Sequence, residues 1–177
     1  MPTLTQTIAI YAVGTFVLAA AFSMARAFWG VHATFYLFPS VHGVSGIVMF
    51  SVVGALIGAV PFGVLFGLLV SGRAAYHAAF FSLAAGSLLV AFVAGLGLLR
   101  GSTWWVTLLD AILFVVFFTS FATLAQRIAP PLNLGARVVV VATFLLLAAF
   151  FYFGPLLYIS YAYPDKVVTG SFQAFFL

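Results

Sequence analysis

No cysteine occurs anywhere in the chain, which excludes disulfides, thiolate metal sites and cysteine nucleophiles. Charge is almost as scarce. Of 177 residues, six are Lys or Arg and two are Asp or Glu. A soluble domain carries about 25% charged residues, against 5% here, so lipid must be the solvent over most of the surface. The cations are scattered singly. The chain therefore has neither the basic patch of a nucleic-acid binder nor a polybasic lipid switch. Paired carboxylates for glycosidase or aspartyl chemistry are missing. So are the G-x-S-x-G, H-E-x-x-H, G-x-x-x-x-G-K-[ST] and G-x-G-x-x-G motifs. No internal repeat of the kind found in many transporters is visible.

What remains is apolar: 66% hydrophobic residues, 22 of them Phe. The reading is an all-α integral membrane protein, a single polytopic domain over residues 1–177. About five transmembrane helices form a compact bundle. The spans are expected at about 8–25, 44–70, 78–99, 106–125 and 138–160, with an interfacial connection at about 26–43. The N-terminal Met1 to Thr7 has no Lys or Arg, so the positive n-region of a signal peptide is missing and the first run is expected to be retained.

The organising stretch is VSGIVMFSVVGALIGAVPFGVLFGLLV, residues 44–70, without a charge. As a helix it is about 40 Å long, more than the roughly 30 Å hydrocarbon core needs, so it must tilt, kink or reach the headgroups. Gly54 and Gly58 form one small-xxx-small pair and Gly63 and Gly67 another, the pattern of close helix packing. Pro61, between them, is expected to kink the helix, since its ring conflicts with the carbonyl of Ile57.

The connection RAFWGVHATFYLFPSVHG is rich in aromatic residues that favour the headgroup zone, and Pro39-Ser40 is expected to break it. Gly72 suits a left-handed cap. Trp104-Trp105 mark an interface, and QRIAPPLNLGAR, residues 126–137, is the most loop-like segment. Tyr152, Tyr158, Tyr161 and Tyr163 form an aromatic belt, and the apolar tail QAFFL suits a membrane surface or a partner. With five spans the termini lie on opposite sides. Arg73, Arg127 and Arg137 share the side of the N-terminus, which is read as cytoplasmic; Arg26, Arg100 and Lys166 share the other.

Three residues could carry chemistry. Asp110 is the one acid inside an expected span, and so a candidate for transport or proton relay; the competing reading is an acid near the interface, favoured by the helix dipole. His32 and His42 flank the first connection and are candidate axial ligands for haem or a chlorophyll-type pigment, although their spacing is no metal signature. His77 falls on the opposite side. The arginines near helix ends read as topology signals that snorkel toward phosphates.

The functional expectation is an accessory or structural subunit of a larger membrane complex, respiratory or photosynthetic. It would pack against other helices, lipids or bound cofactors, and the reading leans against a catalytic activity of its own. Its partners are then the bilayer and other membrane subunits, or copies of itself, and not nucleic acid. The rival is a small transporter or channel subunit with a pathway at an oligomer interface, lined by Asp110 and the central helix. A third class is a membrane enzyme acting on lipid or quinone, for which no complete site is visible.

Overall fold

A computed structural model describes residues 4–72, 76–95 and 104–162. Helix α1 (Leu4–Met24) passes into a π-helical stretch, Ala25–Gly30, and continues as α2 (Val31–Leu37). Then come α3 (Gly43–Leu69), α4 (Tyr76–Gly95), α5 (Trp104–Ile128) and α6 (Leu134–Ala162). The described residues thus form five helical rods, packed together. Four are long and apolar enough to cross a membrane; in α4 the apolar helix His77–Ala91 is shorter. The expected tail and the residues Arg73, Arg100, Tyr163 and Lys166 lie outside the described residues.

The first connection differs from the sequence reading. The sequence reading has it leave the helix near residue 25 and lie in the interface to residue 43. Instead the chain stays helical to Leu37, and the first membrane-crossing stretch is Ala12–Thr34. The physical reason is local. No proline occurs between Arg26 and Phe38, and aromatic residues lower helix propensity without breaking a helix. Termination waits for Pro39, which disfavours helical backbone in the residue before it. Phe38 accordingly sits at φ −135, ψ 58.

Helix α3 touches every other element, and its glycines decide how closely. The backbone of Gly54 lies under Arg26, and Gly58 lies against Phe22 and Ala25. Gly63 meets Phe118, and Gly67 meets Ala122 and Ala125. The pair before Pro61 therefore receives the first rod, and the pair after it receives α5. α3 remains helical through Pro61, and α6 through Pro155.

These contacts also fix directions. Rising numbers on α3 meet falling numbers on the first rod, so those two are antiparallel. Rising numbers on α3 meet rising numbers on α5, so those two are parallel. Helix α4 returns antiparallel to α5, packed on α5 and α1, with Gly86 against Val115 and the Ser82 hydroxyl hydrogen-bonded to that of Thr119. The turn after α3 closes through Gly72, at φ +77, and Gln126 Nε2 donates to the Val70 carbonyl at 3.2 Å.

Lipid tails are as apolar as a phenylalanine, so hydrophobic burial does not drive this assembly; close packing and interhelical hydrogen bonds do. Phe22, Phe62, Phe114 and Phe118 are fully buried; the rings of Phe22, Phe114 and Phe118 follow one another in contact, and Phe62 packs on Phe144 and Phe151. Phe22 and Phe114 approach to 4.6 Å between ring centroids, Phe66 and Phe81 to 4.4 Å. Such pairs contribute about 0.5–1.5 kcal/mol beyond the area they bury. The Ser82–Thr119 bond is a smaller term. A double-mutant cycle with Ser82→Ala and Thr119→Val, read by SDS unfolding, is expected to give a coupling of about 0.6 kcal/mol, the usual size for such bonds inside membrane proteins.

Candidate functional site

The π-helical stretch does to Arg26 what a regular helix would not. A π-turn widens the rod and shifts the side chains that follow, a device frequent at functional sites. Here it coincides with the tightest approach of the first rod to α3. A Cβ on Gly30 would stand 2.8 Å from the Gly54 Cα, and one on Gly54 would stand 3.0 Å from the Arg26 Cα and 3.1 Å from its Cγ. The stem of Arg26 thus lies across the bare backbone of α3. Its guanidinium rests over the Phe50 ring, 4.2 Å from the centroid, a cation–π contact.

From there Arg26 reaches Asp110. Nε and Oδ2 are 2.6 Å apart, with the Arg26 side chain 23% exposed and that of Asp110 6% exposed. Ser51 on α3, fully buried, adjoins the same carboxyl. The contact is a close end-on ion pair and not a bidentate fork: Arg26 Nε lacks an aligned acceptor, and Asp110 Oδ1 and Ser51 Oγ lack hydrogen-bond partners. Asp110 lies six residues past Trp104, about 9 Å along α5. Arg26 lies eight residues before Thr34, about 12 Å along its rod. The pair therefore sits within the helices and not at their ends, joining the first rod, α3 and α5.

Arg26 is the member of this pair that the sequence does not single out. Its place beside the expected end of the first span, at residue 25, reads as that of a snorkelling helix-end arginine. One signal could have found it. An acid inside an apolar span needs a counter-charge, and Arg26 belonged to the same membrane side as the start of the fourth span.

The two histidines lie near the same end of the bundle but face different neighbours. His32, exposed on α2, stacks on Phe28 with centroids 4.2 Å apart and meets Tyr158 of α6 edge-on at 6.4 Å. Its Nδ1 is 2.8 Å from the Phe28 carbonyl oxygen. His42 caps α3 with extended backbone, φ −126 and ψ 168, and its carbonyl accepts from the Ser45 hydroxyl at 2.9 Å. It lines a shallow cleft of about 330 Å³ with Thr34, Phe38, Ile47 and Phe50. His77 begins α4 at the far end. Among the described residues, no three of His, Asp and Glu come together as a metal site.

Chemically, the arrangement offers a neutralised charge pair inside the bundle and an imidazole on its outer seam. No family model, curated protein or solved structure matches the chain.

Proposed function

We propose that this chain is an accessory, structural subunit of a larger integral membrane complex, which holds other helices, lipids or bound cofactors in place. One observation carries the reading. Asp110, the acid a transport pathway would use, closes on Arg26 inside the bundle, and its charge serves to join three helices. Removing one member of such a pair leaves an uncompensated charge, so the pair acts as a clamp that specifies how the rods meet.

The outer surface supports the same reading. Leu134, Val138, Val141 and Leu145 on α6 are exposed and follow helical spacing, and the exposed Tyr158 and Tyr161 mark its interfacial end. A long straight apolar stripe of this kind suits a neighbouring helix or a lipid chain equally. The N-terminus is assigned to the cytoplasmic side, with Arg127 and Arg137 at the loop between α5 and α6.

Mild-detergent purification from the native membrane is the test. The expected result is a species larger than the chain and its micelle, with other membrane subunits in fixed ratio. A lone monodisperse monomer overturns the proposal. Liposomes holding the purified chain separate the rival: ion or proton flux that Asp110→Asn abolishes assigns the chain to transport.

A further inference from the structure

Helix α3 begins without a cap. His42 has the extended backbone of an N-cap residue, but its side chain makes no capping hydrogen bond, and the first turn holds no acid. The Ser45 hydroxyl is turned to the His42 carbonyl, 2.9 Å away. The first N–H groups of a helix find no partner inside it and carry the positive end of its dipole. Here they are left to whatever lies in front of them.

In front of them is the cleft of about 330 Å³, at the small end of the range of about 300–1,000 Å³ usual for ligand sites. Gly43 and Gly46 line it beside His42, so the start of the helix shows bare backbone. Gly43 stands at φ +67, and a Cβ there would meet nothing within 4 Å. The walls Phe38, Ile47 and Phe50 are apolar. Thr34 also lines the cleft. It is only 8% exposed, and its hydroxyl has no hydrogen-bond partner, a condition that asks for an unseen acceptor.

Position and charge name the occupant. The stretches on either side, Ala12–Thr34 and Gly43–Leu69, are long and apolar enough to cross a membrane, so the turn between them lies at the level of the headgroups. Asp110, the one acid among the described residues, is held by Arg26. The anion that this helix end favours therefore comes from outside the bundle.

We propose that the cleft is a phospholipid site. The phosphate sits on the free N–H groups at the start of α3, as anions do at helix N-termini, with the exposed His42 imidazole at the rim. An acyl chain descends along Ile47 and Phe50, and the glycerol ester oxygens give the Thr34 hydroxyl its acceptor. The inference rests on the lipid-holding part of the role proposed above and gives it a place.

Purified protein in a nonionic detergent is titrated with short-chain phosphatidylglycerol and followed by native mass spectrometry. One saturable lipid per chain is expected. The matching diacylglycerol, which lacks the phosphate, is expected to bind about tenfold more weakly, the usual scale for losing hydrogen bonds to a charged group. Millimolar inorganic phosphate, which has no chain for the apolar walls, is expected not to displace the lipid. His42→Asp places a carboxylate cap on the same N–H groups. It is expected to raise the unfolding midpoint of the lipid-free protein and to abolish lipid retention. Thr34→Val is expected to weaken retention about fivefold. Absence of saturable binding overturns the proposal. So does equal binding of the diacylglycerol, which indicates apolar adsorption, and so does displacement by inorganic phosphate, which assigns the cleft to a free anion. Retention that His42→Asp or Thr34→Val leaves unchanged overturns it as well. Copurification from the native membrane is read separately: a chain that holds the lipid but no partner subunit fails only the earlier proposal, and the reverse fails only this one.

Discussion

Arg26→Met is expected to destabilise the folded bundle by about 3–5 kcal/mol, the usual cost of leaving one member of a buried ion pair alone. Three effects compete. Taking two charges out of water costs several kcal/mol each, and their mutual attraction in a low-dielectric site offsets most of that. The third is special to membranes. On an isolated helix, Arg26 could extend its stem toward the headgroups, which makes the unassembled state less unfavourable for it. Asp110, with a short side chain, has no such escape once packed against Ser51. The single change at Arg26 is therefore expected to be worse than Asp110→Asn, which leaves a neutral amide inside the bundle and leaves Arg26 its route toward the headgroups. The double variant Arg26→Met/Asp110→Asn is expected to recover most of the loss, because no uncompensated charge remains. SDS titration of all four proteins, followed by tryptophan fluorescence, measures this. Additive losses in the double variant would show that the ion pair at 2.6 Å is not the clamp proposed.

Gly67→Val is expected to cost more than Gly58→Ala, at or above the upper end of the roughly 1–3 kcal/mol typical of overpacking. The obstacle differs at the two sites. At Gly58 a new Cβ meets the Phe22 ring edge at 2.8 Å, and a ring can swing. At Gly67 it runs into the carbonyl oxygen of Ala122 and finds the Ala125 Cβ at 2.8 Å. A helix carbonyl cannot move without α5 moving. Ala125→Gly is accordingly expected to rescue Gly67→Val only in part, since it removes the methyl and leaves the carbonyl. Unfolding midpoints of the three variants decide it; full rescue would mean that α5 is held less rigidly than its contacts with α3 imply.

Much of the architecture was legible because lipid imposes simple rules. Eight charged residues leave no alternative to a membrane, and apolar runs between polar turns mark the helices. Glycine spacing marks where a backbone is bare, but one stretch of sequence cannot say which helix will arrive. The assignment of Gly54 and Gly58 to the first rod and of Gly63 and Gly67 to α5 is a tertiary fact. The π-turn at Ala25–Gly30 was not legible either. Its residues carry no marker, and it exists because Gly30 can press on Gly54. Arg26 is misplaced for a related reason, since ending the first helix at residue 25 instead of at Leu37 turns a buried partner into an interfacial cation. For His32, the residue type was visible, but its hydrogen bond to Phe28 depends on the helix running through that region.

The parallel pairing of α3 with α5 also sets an order of events during synthesis. Arg26 and the glycine faces of α3 are made first; α4 must run back along the bundle before α5 and its carboxylate exist. At roughly 5–20 residues per second, Arg26 waits on the order of ten seconds for Asp110. During that interval the early helices hold a cation with no counter-charge, and the far end of α3 presents an unfilled glycine face to lipid. Arrival of α5 answers both at once. A chain truncated before Trp104 would be an unfinished bundle with Arg26 drawn toward the headgroups, the kind of intermediate that membrane quality control can recognise.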